Sequence, residues 1–241
     1  MKNILDLFLS IFFLLFLSPI ISLALILVWS QDFKNPLYIS KRVGKYGLEF
    51  NMIKIRSMVV GADKTGVDST SNDDARITLV GRFIRKMKID EISQIVNVMS
   101  GKMSFVGPRP NVKRETDLYT DEEKKLLRIR PGITDFSSII FSDEGDILKD
   151  SPNPDLRYNQ VIRPWKSRLG LFYIDKQTLF LDIWIIILTG LNVFHRKLAL
   201  KLVSKTLFKL NADSMLVEIA LRNSNLKPMA PPGALNIVES R

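Results

Sequence analysis

The chain has 241 residues, of which 46% are hydrophobic and 25% are charged. These values suit one compact domain with an additional element, and they exclude disordered, collagen-like and many-domain chains. Because there is no cysteine and only one histidine, His195, thiol catalysis, disulfides, iron–sulfur clusters and multi-histidine metal sites are excluded. The formal net charge of +10 favours polyanionic partners: nucleic acid, an anionic membrane face or phosphorylated small molecules.

A long apolar segment lies near the N-terminus, because no charged residue occurs between Leu7 and Gln31. As a helix it would be about 37 Å long, enough to cross a hydrocarbon core of about 30 Å. Pro19 removes a helical hydrogen bond near its middle, and Ser18 can offer its hydroxyl to a carbonyl freed one turn earlier. These residues leave two interpretations open: a kinked spanning helix, or a hairpin that enters and leaves by one face.

The next part of the chain indicates a mixed, helix-rich α/β domain. Short strands are predicted at 37–40 and 49–55, around a glycine turn. An apolar stripe predicts one helix over 82–99, and a highly charged second helix is predicted over 121–129. Basic residues are more frequent after the apolar segment than before it, so this domain is predicted to be cytoplasmic.

Two helices of different character are predicted towards the C-terminus. The apolar stretch near 179–194 contains Asp182, and its uncharged part is too short to span a membrane. Lysines then alternate with apolar residues, which suits a helix in the headgroup plane, although a core helix followed by a solvated basic helix remains open. The residues therefore predict three segments: a membrane helix over 1–35, a domain over 36–197, and a basic helix with a proline-rich tail over 198–241.

Arginines beside glycines, prolines or element ends are candidate phosphate-binding residues. The planar guanidinium group carries five N–H donors that match phosphate oxygens. Prolines next to Arg109 and Arg130 stiffen the backbone around these two arginines, which lowers the entropy lost on binding an anion. Neither a P-loop nor a GxGxxG motif is present, so ATP-type phosphate binding is not expected. The candidates are Arg42, Arg56, Arg76, Arg82, Arg85, Arg109 and Arg130.

Asp90 and Glu91 are the candidate catalytic carboxylates. Their ordinary interpretation is a helix cap and an acidic first turn, worth about 0.5–2 kcal/mol to the helix. Their functional interpretation is a nucleophile with a metal-binding or acid–base neighbour. The cations that would keep both carboxylates ionised are Arg82, Arg85, Lys86 and Lys88.

Several ordered motifs resemble the bacterial sugar transferases, which are monotopic phosphoglycosyl transferases. The resemblance covers roughly residues 6–194 and is specific because the motifs coincide in order. The motifs are Lys54-Ile55-Arg56-Ser57-Met58, the stretch 73–86, Ile89-Asp90-Glu91 through Asn97-Val98, the stretch 101–110, and Arg130-Pro131-Gly132-Ile133-Thr134.

The resemblance implies transfer of a sugar 1-phosphate from a UDP-sugar to polyprenyl (undecaprenyl) phosphate, with release of UMP. This reaction would be the first membrane step in assembly of a bacterial glycoconjugate. By the resemblance, Asp90 is the nucleophile that forms a covalent phosphosugar and a ligand of Mg²⁺, and Glu91 assists in the metal and proton chemistry. The expected substrate or phosphate ligands are Arg42, Arg56, Arg85, Arg109 and Arg130.

The resemblance also implies a re-entrant N-terminal helix broken at Ser18-Pro19, so the hairpin interpretation is preferred. The expected location is the bacterial inner membrane, with the catalytic domain on the cytoplasmic face. The expected partners are the UDP-sugar, polyprenyl phosphate and membrane lipids, without nucleic acid. The sugar, the pathway, the oligomeric state and the role of residues 198–241 are not predicted.

Three positions depart from the family pattern. Ser93 replaces a proline, Lys102 replaces an aspartate, and residues 135–138 replace a common Gly-Trp-Ala-Gln run. The last departure lies where a sugar or nucleotide could be recognised. Two other functions are considered: a non-enzymatic membrane-anchored protein that binds anionic lipid or nucleic acid, and a glycosyltransferase that releases UDP.

Overall fold

The computed structural model describes residues 1–65, 70–71 and 73–240. It shows the predicted mixed, helix-rich α/β fold, with helices around two small sheets. The strands are β1 (Leu37–Val43), β2 (Glu49–Ile55), β3 (Ser104–Val106) and β4 (Gly132–Thr134). The helices are α1 (Lys2–Ser30), α2 (Leu79–Lys86), α3 (Ile89–Ile92), α4 (Ile95–Met99), α5 (Lys113–Thr116), α6 (Phe136–Ile140), α7 (Glu144–Ile147), α8 (Pro154–Val161), α9 (Arg163–Lys176), α10 (Leu179–Phe194), α11 (Arg196–Lys209) and α12 (Ser214–Ile219).

The two predicted strands form an antiparallel pair. β1 is longer than predicted, and its register with β2 runs from Leu37 opposite Ile55 to Val43 opposite Glu49. The second sheet pairs β3 with β4 in parallel. Its strands are short, and the crossover between them places the two proline- and glycine-rich motifs side by side.

The single helix predicted over 82–99 is wrong, because the chain breaks into α2, α3 and α4. Lys88 has a φ of 57°, in the left-handed region, and this residue separates α2 from α3. Of the predicted apolar stripe Ile92, Ile95, Val96 and Met99, Ile95 is buried, whereas Val96 and Met99 are exposed. The break turns Asp90 inward, where only 8% of the residue is exposed. The dyad is therefore not an acidic first turn of a long surface helix.

The charged helix predicted over 121–129 is a short 3-10 helix, Glu123–Arg128. It is held by Glu123, which is fully buried. The Glu123 carboxylate accepts hydrogen bonds from Arg163, from the Ser167 hydroxyl at 2.6 Å and from the Thr120 N–H at 3.1 Å. This buried network, and not helical propensity, determines the local conformation.

Helix α1 packs against the domain along its whole length. On its packed face, Phe13 and Leu17 contact the main hydrophobic core of the domain. Ala24 and Val28 form a second, smaller hydrophobic cluster with Ile84. Its opposite face is apolar and exposed, at Ile4, Phe8, Phe12, Leu15, Phe16, Leu23 and Ile26. Among the described residues, α1 is the one helix that is long and apolar enough to cross a membrane.

Pro19 lies inside α1, which stays helical on both sides of the proline. The Ser18 hydroxyl donates to the Leu15 carbonyl at 2.9 Å. That carbonyl is the one whose intrahelical donor Pro19 removes. The hydroxyl therefore replaces the missing N–H in a segment surrounded by exposed apolar residues.

Ion pairs join both ends of α1 to the domain. Near its start, the Asp6 carboxylate pairs with Arg130 at 2.6 Å and accepts from the Ser104 hydroxyl at 3.1 Å. Just after its end, the Asp32 carboxylate accepts two hydrogen bonds from Arg56, both at 2.7 Å. Contacts of Asp6 and Asp32 therefore hold both ends of α1 against the domain.

The segment 198–240 shares the main core with the domain. Helices α11 and α12 bury Ala199, Val203, Leu207 and Ile219 in it. The proline-rich tail then runs across α8 and α9 in an extended conformation. Its Met229 N–H donates to the Gln160 carbonyl at 3.0 Å, and Arg168 donates to the Ala230 carbonyl at 3.0 Å.

Candidate active site

Asp90 and Glu91 line a cleft of about 880 Å³ whose walls include parts of α1, β1, β2, α2 and α10. One part of its wall is basic and another is apolar. The basic residues of the wall are Arg42, Lys54, Arg82, Arg85, Lys86, Lys88, Arg109 and Lys166. The apolar residues include Phe13, Leu17, Phe105, Ile186 and Val193.

Strand β2 fixes the position of the dyad through the side chain of Asn97. Its Oδ1 accepts from the Ile53 N–H at 2.9 Å, and its Nδ2 donates to the Asn51 carbonyl at 2.7 Å. The amide thus pairs with the free edge of β2 as a neighbouring strand would. Ser93 adds a hydroxyl bond to the Ile53 carbonyl at 3.2 Å. The serine that replaces the family's proline therefore helps to join α3 to β2.

Two glycines bring Arg109 to the same place. A Cβ at Gly132 would lie 2.1 Å from the Gly107 nitrogen, and a Cβ at Gly107 would lie 2.7 Å from the Arg130 carbonyl. Only glycine permits this approach of the two backbones. The close contact places the Arg109 guanidinium group against the Ile133 carbonyl, to which it donates.

Glu91 is held by cations on two sides. Arg109 donates to its two carboxylate oxygens at 2.9 and 2.6 Å, and Lys54 Nζ lies 3.9 Å from Oε1. Burial alone would raise the pKa of Glu91, but the charges of Arg109 and Lys54 outweigh it and hold the pKa well below its usual range. Glu91 is therefore ionised, and both of its oxygens are engaged.

Asp90 differs from its neighbour. Its Oδ1 is buried and has no hydrogen-bond partner among the described residues. Burial and the adjacent Glu91 charge raise the pKa of Asp90, while Lys54 and Arg85 oppose the increase. A carboxylate with an uncommitted, poorly solvated oxygen is a stronger nucleophile than one held in a salt bridge. The geometry therefore separates two adjacent acids into a reactive and a structural member.

The structure brings three of the five expected phosphate-binding arginines to the cleft: Arg42, Arg85 and Arg109. Arg82 and Lys88 line it as well, and neither has an ion-pair partner in the described part of the chain. Cations without carboxylate partners are suited to binding the phosphates of a ligand.

Arg56 and Arg130 do not line the cleft. Arg56 is bound to Asp32, and Arg130 to Asp6, so each joins α1 to the domain. Arg76, another arginine noted in the sequence, pairs with Asp74 at 2.6 Å. Sequence spacing does not distinguish these arginines from the ones in the cleft.

The residues of the cleft fit a magnesium ion better than a zinc ion. Within the described residues, no cluster of three or more acidic or histidine side chains could hold a metal. Mg²⁺ needs only one or two protein carboxylates, since it takes its other ligands from water and substrate phosphates. The unpartnered Oδ1 of Asp90 is a suitable oxygen ligand, whereas both oxygens of Glu91 are occupied by Arg109.

Two functional residues were not assigned a role from the sequence. Lys54 faces both acids from β2, and burial lowers its pKa although Glu91 and Asp90 oppose the shift. Asn97 positions the dyad through backbone hydrogen bonds. Both residues belong to the quoted motifs, and their position in those motifs was the only available signal.

Residues 1–196 match the family described as bacterial sugar transferase. The match covers most of the chain and all of the cleft motifs, and the chain belongs to this family. The region after residue 196, which contributes α11 and α12 to the core, lies outside the match.

Three relatives illustrate the range of the family. The chain is 31% identical to the undecaprenyl-phosphate galactose phosphotransferase of Salmonella typhimurium, over 81% of this chain and 41% of that protein. It is 32% identical to the UDP-glucose:undecaprenyl-phosphate glucose-1-phosphate transferase of Xanthomonas campestris pv. campestris, over 82% and 40%. It is 33% identical to the uncharacterized sugar transferase EpsL of Bacillus subtilis, over 78% and 85%. The chain thus spans about two fifths of the first two relatives and most of the third.

Proposed function

We propose that this protein transfers a sugar 1-phosphate from a UDP-sugar to polyprenyl phosphate, through a covalent phosphosugar on Asp90. The observation that carries the proposal is the asymmetry of the dyad within a cleft that is basic on one part of its wall and apolar on another. A diphosphate donor and a phosphate acceptor need the cations, and a polyprenyl chain needs the apolar wall. The names of the two transferases from Salmonella and Xanthomonas support the same substrates.

In the first step, a carboxylate oxygen of Asp90 attacks the β-phosphorus of the UDP-sugar. A bond forms between this oxygen and phosphorus, and the bond between the β-phosphorus and the bridging oxygen breaks. The bridging oxygen takes the electron pair and leaves with UMP. Arg85, Arg82 and Lys88 would offset the charge that develops on the phosphate oxygens.

In the second step, a phosphate oxygen of polyprenyl phosphate attacks the same phosphorus. The bond from phosphorus to Asp90 breaks, the carboxylate is restored, and polyprenyl-diphosphate-sugar is released. Departure of UMP before the acceptor binds prevents the two polyanions from occupying the cleft together. Glu91 keeps Arg109 in place in both steps.

Asp90 would hold Mg²⁺ together with substrate phosphates, with Glu91 as a secondary contributor. When bound, the ion neutralises phosphate charge and stabilises the leaving oxygen. The unpartnered Oδ1 of Asp90 in a cleft of cations and oxygen donors supports this assignment.

The packing of α1 supports a re-entrant helix at the cytoplasmic face of the inner membrane. A helix that crossed the bilayer would carry one end away from the domain. Here Asp6 and Asp32 tie both ends to it, and the exposed face between them is apolar. Helix α10 would lie in the same leaflet as an interfacial helix, with its exposed Phe180, Ile187 and Phe194 in the lipid. An acceptor held in that leaflet reaches the cleft at a raised local concentration.

The test is covalent labelling with UDP-sugars that carry ³²P in the β-phosphate. We expect the wild-type protein to be labelled without acceptor, UMP to be released, and polyprenyl phosphate to remove the label. Asp90→Asn should fold and remain unlabelled, while Asp121→Asn, at an exposed carboxylate outside the cleft, should behave as wild type.

Other results would contradict the proposal. Release of UDP would indicate a glycosyltransferase instead. Normal turnover by a folded Asp90→Asn variant would exclude the covalent intermediate. Membrane or nucleic-acid binding without nucleotide release from any donor would support the non-enzymatic alternative.

A further inference from the structure

A strip of neutral polar side chains lies in the cleft, apart from the basic residues. Four of its members are Thr134, at the end of β4, Ser138 of α6, and Thr189 and Asn192 of α10. The Thr134 and Thr189 hydroxyls are 2.6 Å apart, Asn192 lies one turn beyond Thr189, and Ser138 lines the same cleft. Around them α10 is apolar, with Ile186 and Val193 also facing the cleft.

The hydroxyl protons of this strip are already used inside the protein. Thr189 donates to the Ile185 carbonyl at 2.8 Å, so at the 2.6 Å contact with Thr134 it acts as the acceptor. Ser138 donates to the carboxylate of Asp135 at 2.7 Å. Each hydroxyl has one proton and two lone pairs. The three hydroxyl groups therefore retain only acceptor capacity towards a ligand.

Asn192 adds a fourth acceptor. Its Oδ1 is buried and has no donor within the described part of the chain. A buried carbonyl oxygen without a donor is costly, and a ligand hydroxyl that reaches it removes the cost. Rotation of the amide about its terminal bond exchanges the positions of Oδ1 and the Nδ2 group, so either one can face the cleft.

A surface that offers acceptors selects ligands that carry donors. Phosphate oxygens are acceptors and are therefore disfavoured here, which complements the cations around Asp90. A polyprenyl chain has no donor, and uridine has the uracil N–H and two ribose hydroxyls. The sugar ring of a UDP-sugar carries several hydroxyl donors, and it is joined through its anomeric oxygen to the phosphorus that Asp90 attacks, so it lies nearer to Asp90 than the uridine does.

We infer that Thr134, Ser138, Thr189 and Asn192 form the subsite that recognises the hydroxyl groups of the donor's sugar. This inference rests on the proposed function for the identity of the donor. The inference gives a role to residues 135–138, which differ from the family pattern. Asp135 caps α6 and accepts a hydrogen bond from the Ser138 hydroxyl. Loss of one acceptor should weaken sugar recognition and leave recognition of the nucleotide unchanged.

The experiment measures binding rather than turnover, using the Asp90→Asn protein in lipid nanodiscs so that no chemistry occurs. Dissociation constants are measured for UDP-glucose, UDP-galactose, their N-acetylhexosamine analogues and UDP. The test variants are Asn192→Ala and Thr189→Val, and Asn223→Ala is the matched control at an exposed asparagine. Thermal melting confirms that each variant is folded.

We expect each test variant to bind the preferred UDP-sugar about tenfold more weakly, which is equivalent to about 1.4 kcal/mol. Its affinity for UDP should be unchanged. Its preference among sugars that differ at one hydroxyl should also decrease. Equal weakening of UDP and the UDP-sugars would assign the strip to uridine and overturn the inference, as would unchanged affinities for all ligands. This outcome is independent of the labelling test. Labelling reports on the covalent role of Asp90, whereas these affinities report on recognition of the sugar.

Discussion

Arg109 binds both carboxylate oxygens of Glu91, at 2.9 and 2.6 Å, and so makes Glu91 unlike the acid that precedes it. Asp90 has no such partner for Oδ1. Two carboxylates that are adjacent in sequence therefore have different protonation behaviour and different freedom to react. This difference leads directly to the first two predictions.

Replacement of Arg109 by lysine keeps the positive charge but should still weaken the contact with the Glu91 carboxylate. An ammonium group cannot make the two parallel bonds of a guanidinium group. We expect a loss of about 1–3 kcal/mol in the free energy of unfolding, and a labelling rate reduced by about tenfold or more. A double-mutant cycle of Arg109→Lys with Glu91→Gln measures the coupling, and strictly additive effects would contradict a direct pair.

The labelling rate should fall in acid with a midpoint above the ordinary pKa of aspartate, which is 3.8. Burial and the Glu91 charge raise the pKa of Asp90, so its reactive form is lost at a higher pH than in a solvated aspartate. Lys54→Met removes a cation that opposes this rise, and should move the midpoint to still higher pH. Rate measurements from pH 4 to pH 8 test both statements. A midpoint that does not move in Lys54→Met would contradict the role given to Lys54.

The same raised pKa has a consequence for stability. The folded protein binds the Asp90 proton more tightly than the unfolded chain does, so stability decreases as pH rises from the unfolded to the folded pKa. An Asp90→Asn variant has no carboxyl group to ionise at this position and so avoids this loss of stability. At neutral pH its melting temperature should equal or exceed that of the wild-type protein. The pKa of Glu91 is lowered instead, so its ionised carboxylate stabilises the fold at pH values above the ordinary pKa of glutamate. This stabilisation is lost as the pH falls towards the lowered pKa.

Chelation should stop labelling if Asp90 holds a metal with the substrate phosphates. EDTA is expected to abolish label incorporation, and Mg²⁺ to restore it. Zn²⁺ should not substitute, because the cleft offers oxygen ligands and no cysteine or histidine cluster within the described residues. Full labelling in EDTA would remove the metal role from Asp90 while leaving its nucleophilic role in place.

Topology can be tested with single cysteines, since the natural chain has none. Lys2→Cys and Lys34→Cys should both resist an impermeant thiol reagent applied from the periplasm. Replacing Ser18 by leucine and Pro19 by alanine should favour a straight helix and expose the residue 2 cysteine to that reagent. Periplasmic labelling of Lys2→Cys in the otherwise natural chain would refute the re-entrant arrangement.

The buried pair of Arg163 and Glu123 should be the most sensitive ionic contact outside the cleft. At most 2% of either side chain is exposed. Arg163→Met leaves a buried carboxylate without its cation, and we expect a loss of about 3–5 kcal/mol in the free energy of unfolding. Lys124→Met, in an exposed pair with Asp121, is the control and should change stability by less than about 1 kcal/mol. Chemical denaturation distinguishes the two outcomes.

The elements that depend on local pattern were predictable. The β1–β2 hairpin follows from alternation and a glycine turn, and α10 follows from its apolar run. The break at Lys88 was not predictable, because nothing in the local sequence marks a lysine that adopts the left-handed conformation.

The candidate site was predictable only in part for a similar reason. Motif resemblance located Asp90 and Glu91, but it did not separate arginines of the cleft from arginines that bind α1. Arg130 finds its partner Asp6 at a separation of 124 residues, and Arg56 finds Asp32 at 24. Such partners are determined by the tertiary fold, so local spacing cannot reveal them.

The packing of α1 also bears on how this protein can be handled. Removal of residues 1–30 would uncover Ile84 and Phe105, and would leave Arg130 without its carboxylate. Helix α1 is thus a structural layer of the fold and not a detachable tether. Making the domain soluble means covering the exposed apolar face of α1, for example with a detergent, because removing the helix would also remove one wall of the cleft.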